Sequence, residues 1–90
     1  MSVTVRVTGR RKYGPIWARL KENNYCRVEC LTTEDTLTTI NGVKKIKAED
    51  RMRPKNKVLE INTTDGINEA GEKCTVIKFK LVEDTSINNL

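Results

Sequence analysis

Two runs of cations are the residues of this chain best equipped for chemistry. The first is Arg10, Arg11 and Lys12 followed by Tyr13; the second is Lys44, Lys45, Lys47, Arg51 and Arg53, continued by Lys55 and Lys57. Guanidinium and ammonium groups at this density attract phosphate oxygens, and each nucleic-acid phosphate they neutralise releases condensed counterions. The first run lies between a strand pattern and Pro15, a residue suited to the first turn of a helix, so the N–H groups of a helix N-terminus would add to it. On a helix, Lys44, Lys47 and Arg51 would line one edge as a track along a phosphate backbone. The ordinary alternative for either run is a solvated charged face that keeps a small protein soluble.

Other chemistries find fewer of their parts. The chain has no histidine, which removes the commonest general base and the commonest metal ligand. A structural zinc site wants four ligands, whereas Cys26 and Cys30 have only the distant Cys74 to join them. The adjacent carboxylates Glu34-Asp35 and Glu49-Asp50 would diverge by about 100° on a helix, and lysines surround the second pair. No phosphate loop of the Walker type occurs. The expectation is a protein with no catalytic residues, metal or cofactor, and with its cysteines acting as small buried hydrophobes.

Charge is unevenly laid out along the 90 residues. Residues 1–30 carry a net +5, residues 31–60 a net +2 and residues 61–90 a net −2, which gives the chain's formal charge of +5. A summed positive field of this kind speaks to partners more than to fold. Aromatics make up only 4 % of the chain, with Tyr13 and Tyr25 the two expected at the surface, so backbone contact is favoured over base reading. The expected partner is therefore nucleic acid, DNA or RNA, bound by a small accessory protein with little sequence preference. The competing expectation is a small regulatory or inhibitory module, phage- or virus-encoded, that docks on an acidic protein surface; an edge strand could also pair two copies.

No stretch approaches the roughly 20 apolar residues of a membrane span, and the first residues lack the basic start and apolar run of a signal peptide. A cytoplasmic protein with reduced thiols is expected. Cys26 and Cys30 on one strand would stand about 13 Å apart, beyond disulfide reach. Whether Cys74 meets either across neighbouring strands is open at this point.

The elements that must position these residues follow from periodicity. Residues 2–8 alternate strictly, with Val3, Val5 and Val7 on one face, and read as a strand. A short helix over about residues 15–22 would turn Ile16, Trp17 and Leu20 inward and stop at Asn23-Asn24. Residues 25–31 alternate again, with Cys26, Val28 and Cys30 sharing a face. Residues 57–63 and 74–82 read as strands joined by a solvated loop around Asp65-Gly66 and Ala70-Gly71.

The middle of the chain admits two readings. In one, Thr32 or Thr33 caps a helix running to about residue 52, with Leu37, Ile40, Val43, Lys44 and Ala48 as its inner stripe. In the other, Asn41-Gly42 is a tight turn between two short strands. The helix has the better end signals and is preferred, although its four threonines and interior glycine are poor helix formers. The predicted architecture is a single α+β domain, residues 1–84, of order β-α-β-α-β-β: a four-stranded, mainly antiparallel sheet with both helices on one face. Residues 85–90 would be a frayed tail. The alternative is a small barrel of five or six strands with one helix.

Overall fold

Apolar alternation and two capped helices build the molecule. The computed structural model describes residues 4–7 and 13–84. Along the chain lie β1 (Thr4–Val7), α1 (Tyr13–Asn23), β2 (Tyr25–Cys30), α2 (Thr33–Glu49), β3 (Lys57–Ile67) and β4 (Lys73–Glu83). The fold is α+β: two helices pack on an antiparallel sheet of β2, β4 and β3, and it is not a barrel. The backbone of β1 runs parallel to β2, Val5 standing opposite Val28.

The sheet follows the two-residue period over most of its length, although Glu29, Cys74 and Val76 are buried on the face opposite the helices. Cys26, Val28 and Cys30 of β2 and Ile77, Phe79 and Leu81 of β4 point under the helices, with Leu59 and Ile61 of β3 half-buried beside them. From above, α1 contributes Ile16, Trp17 and Leu20 and α2 contributes Val43. All three cysteines are buried and none is in a disulfide. Cys74 stands on the face opposite to Cys26 and Cys30, because the register sets Cys30 beside Thr75, so no disulfide forms. Burial pushes the Cys26 thiol up, against a smaller opposing pull from Arg19, and leaves it a weak nucleophile.

The ends of α1 follow local chemistry. Pro15 falls in its first turn, where no intrahelical N–H bond is lost. Asn24 closes it in the left-handed region (φ 62°), its N–H donating to Leu20 O at 2.8 Å. For α2, Thr32 is the N-cap: its extended backbone (φ −123°, ψ 156°) lets Oγ1 accept from the Asp35 N–H at 3.0 Å. Glu34 and Asp35 then complement the positive end of the helix.

Asn41-Gly42 is therefore helical, and its glycine answers a packing demand. The Tyr13 ring lies directly on the bare backbone of Gly42, filling the place that a Cβ there would occupy. The close approach of α1 and α2 depends on this missing side chain. It also fixes the rotation of α2 and corrects the expected inner stripe. Thr36, Thr39 and Val43 are the buried residues, with Ile40 and Ile46 half-buried, whereas Leu37 is 57 % exposed and Lys44 and Ala48 face outward. The helix ends at Glu49 rather than near residue 52.

The β3–β4 hairpin is longer than its pattern suggests. Its ladder runs unbroken from Lys57 opposite Glu83 to Ile67 opposite Lys73, so Asp65 and Gly66 lie in the strand and not in a loop. Gly66 is required there because Val76 Cγ2 crowds the position of its absent Cβ, at 2.9 Å. The turn is confined to Asn68–Glu72. Gly71 N–H donates to Asn68 O, Gly71 takes φ 80°, and Asn68 Oδ1 accepts the Glu72 N–H. This is a three-residue hairpin loop ending in a glycine bulge. The expected frayed tail, residues 85–90, lies outside the described residues.

Gly42→Ala tests the helix seam. Alanine improves helix propensity by about 1 kcal/mol, but its methyl would invade the Tyr13 ring, and such overpacking costs about 1–3 kcal/mol. The expected result is a lower urea midpoint for Gly42→Ala in the natural chain and a higher one when it is added to Tyr13→Ala. Destabilisation in both backgrounds would show that the ring is not the obstacle.

Candidate nucleic-acid interface

α2 and the turn after it carry the second cation run. With 100° per residue, Lys44 and Lys47 lie about 200° and 140° round the axis from Gly42, on the flank turned away from α1. Lys44 and Lys45 are exposed and Lys47 is half-buried. Arg51 lies past the end of the helix, so Lys44, Lys47 and Arg51 do not form the single helical edge expected of them. The break comes at Asp50, whose backbone leaves the helix (ψ 112°) while its N–H still bonds Ile46 O.

The cations divide by what they touch. Arg53 turns back on α2, its Nη1 donating to Asp50 O at 3.0 Å and to Ala48 O at 3.4 Å, and so satisfies carbonyls at the negative end of the helix. Lys57 donates from Nζ to Asn24 Oδ1 at 2.6 Å. Lys21 of α1 is engaged with Asp50 at 2.8 Å and lies over the Trp17 ring, 5.9 Å from its centroid. Lys44, Lys45, Arg51 and Lys55 are exposed and make no such bond among the described residues.

Asp50 is the hub of this end of the molecule. Its Oδ2 accepts from Trp17 Nε1 and from Lys21 Nζ, each at 2.8 Å, and its Oδ1 accepts from the Met52 N–H at 2.8 Å. The Lys21 hydrogen bond, followed by those of Trp17 and Met52, holds its carboxyl at about 2, below the ordinary 3.8. The cation-bearing turn is thereby tied to the core anchor Trp17, which is 3 % exposed.

For the first cation run, Arg10, Arg11 and Lys12 lie outside the described residues. Tyr13 opens α1, but it is half-buried with its ring on Gly42, which leaves no open pair of faces for stacking bases. The first turn of α1 contains no acidic residue, so its positive end is not neutralised from within.

A further polar surface escaped the sequence reading. On the sheet face opposite the helices, Tyr25, Lys80 and Glu60 stand in one cross-strand row and Arg27, Lys78 and Asn62 in the next. Glu60, Ile61, Asn62, Lys78 and Lys80 line a shallow groove of about 510 Å³. Alternation put Lys78 and Lys80 outward, but the register that sets them beside Tyr25 and Arg27 cannot be read from one strand. Arg27 is already paired with Glu29 at 2.7 Å. A second cavity, about 530 Å³, lies at the hairpin end between Asp65–Ile67 and Lys73–Cys74.

Among the described residues no three of Cys, Asp and Glu converge as a metal site, and no helix is long and apolar enough to cross a membrane. No known protein family, curated protein or solved structure matches the chain.

The Asp50 network has a pH signature. A carboxyl depressed in the folded state contributes its stability in full above about pH 4, and that contribution is lost as pH falls through about 2. Fluorescence of the single tryptophan, Trp17, should report a transition in this window that is absent from Asp50→Asn, which should also be less stable at neutral pH. An unchanged acid profile in Asp50→Asn would mean that another group governs it.

Proposed function

We propose that this chain is a small basic nucleic-acid-binding accessory protein that contacts the phosphate backbone with little sequence preference. The observation that carries the reading is the state of residues 44–57. Seven cations against Glu49 and Asp50 give this segment a net +5, and Lys44, Lys45, Arg51 and Lys55 present their charges to solvent with no acceptor of their own among the described residues. Cations held in this way on a packed helix and the turn behind it suit a regular array of phosphates. In this reading the working unit is the four-stranded β-α-β-α-β-β domain, with Thr4–Val7 as its edge and Arg10, Arg11 and Lys12 as a second phosphate contact ahead of α1. The role assigned is binding, without catalysis or cofactor, inside the cell.

The same cations would serve an acidic protein surface, which is the second reading: a regulatory or inhibitory module acting on a partner protein. Nuclease treatment separates the two, since a bridging nucleic acid is destroyed and a protein partner is kept.

Binding should fall steeply with salt. Replacing Lys44, Lys45 and Arg51 together by glutamine should reduce the log–log salt slope by about 3 and weaken binding to all sequences alike. Arg10→Ala with Arg11→Ala should weaken it further without unfolding the chain. Fluorescence anisotropy with labelled single-stranded DNA, duplex DNA and RNA measures both. Equal affinity and slope in the triple variant would remove residues 44–51 from the interface.

A further inference from the structure

Among the described residues no strand pairs with the outer edge of β3. Its phase is fixed at both ends of the hairpin: Asn68 N–H bonds Glu72 O at 2.9 Å, and Asp84 N–H bonds Asn56 O at 2.8 Å. In an antiparallel ladder hydrogen-bonded pairs alternate with non-bonded ones, so the even-numbered residues of β3 turn their N–H and C=O groups to β4. The odd-numbered residues, Lys57, Leu59, Ile61, Thr63, Asp65 and Ile67, turn theirs to the free edge. Natural edges are kept short, bulged, or interrupted by proline or an inward charge. This one is eleven residues long, with no proline and no break in its register, and the two charges on its helix-bearing face, Lys57 and Asp65, are of opposite sign and can pair between copies.

We infer that two copies of the chain pair through β3, antiparallel, about a two-fold axis passing at Ile61. The sequence of the strand selects this register. Centred on Ile61, Lys57 of each copy stands opposite Asp65 of the other, Leu59 opposite Thr63, and Ile61 opposite itself, all on the helix-bearing face. Val58 meets Thr64 and Glu60 meets Asn62 on the other face. Moving the axis to Glu60 sets like charges directly opposite, and moving it to Asn62 sets Leu59 against Asp65; both are less favourable pairings. The Ile61 register leaves nine residues, 57–65, in line and satisfies about ten backbone groups on each side's exposed row. Lys57 can keep its bond to Asn24 and still meet the facing carboxylate, since an ammonium has three donors. An axis normal to the sheet keeps both helix layers on one side of the joined sheet. The pairing does not depend on nucleic-acid binding.

Sedimentation across a wide concentration range tests the inference, and disulfide capture tests its register. The natural chain should show a reversible monomer–dimer equilibrium. Thr63→Pro removes one outward N–H and no bond to β4, so it should give a folded monomer. Lys57→Asp should weaken the dimer, and adding Asp65→Lys should restore it, which provides a second readout where proline perturbs the strand. Glu60 and Asn62 form a non-hydrogen-bonded pair, whose closer spacing suits a disulfide. Glu60→Cys with Asn62→Cys should therefore cross-link on oxidation, and neither single variant should do so well. A natural chain that remains monomeric, a dimer that survives Thr63→Pro, or cross-linking stronger in a single variant would each overturn the proposal.

Discussion

The contact on which the arrangement depends is the Tyr13 ring resting on Gly42. α2 has little apolar surface of its own, and its centre can approach α1 only where it has no side chain. That one contact orients the helix about its axis. It turns Thr36, Thr39 and Val43 to the sheet and sends Lys44 to the far flank. The Trp17–Asp50 hydrogen bond then fixes the other end of the seam, so the turn bearing Arg51 and Arg53 is held by the core rather than left to drift.

A helix with threonines in its buried stripe needs its hydroxyls satisfied, and they are. Thr36 Oγ1 donates back to Thr32 O at 3.0 Å, and Thr39 Oγ1 accepts from the Cys30 thiol at 3.8 Å. Such back-bonding adds nothing to helix propensity. The stability of α2 comes from its cap, from Val43 with the flanking isoleucines, and from the seam with α1, which is the usual case in proteins where tertiary packing outweighs local preference.

The same physics explains what could be read from the sequence. Alternation identified the side chains under the helices, Cys26, Val28 and Cys30 with Ile77, Phe79 and Leu81, because a two-residue period leaves a strand only two faces, but the burial of Glu29 and Val76 on the opposite face does not follow from it. Trp17 as a core anchor, Thr32 as one of two candidate caps and Asn24 as a stop were legible for equally local reasons. The inner stripe of α2 was not legible. Counting apolar residues drew Leu37 and Ala48 inward, while the buried face is partly made of threonine. Gly66 misled and Gly42 left a turn open beside the preferred helix for one reason: each looks like a turn residue, and each is small because a side chain from another element occupies its place. Close approach across 29 residues leaves no local mark. The row of Tyr25, Lys80 and Glu60 was hidden because register between strands is a tertiary property.

The basic run after Val43 has a simple structural explanation to meet first. Cations stabilise the negative end of a helix, and this one ends at Glu49. That effect acts within the last turn and through the last carbonyls, and Arg53 already fills the role by donating to Ala48 O and Asp50 O. Asp50, the acid that would otherwise oppose the dipole there, is itself neutralised by Lys21. Lys44 and Lys45 stand more than a turn from the end, and Arg51 and Lys55 lie beyond it. The helix end thus accounts for Arg53 and for Lys47 in its last turn, and Lys57 is held by Asn24. The four that remain repel one another in the free protein, a cost that a polyanion bound along this surface would remove.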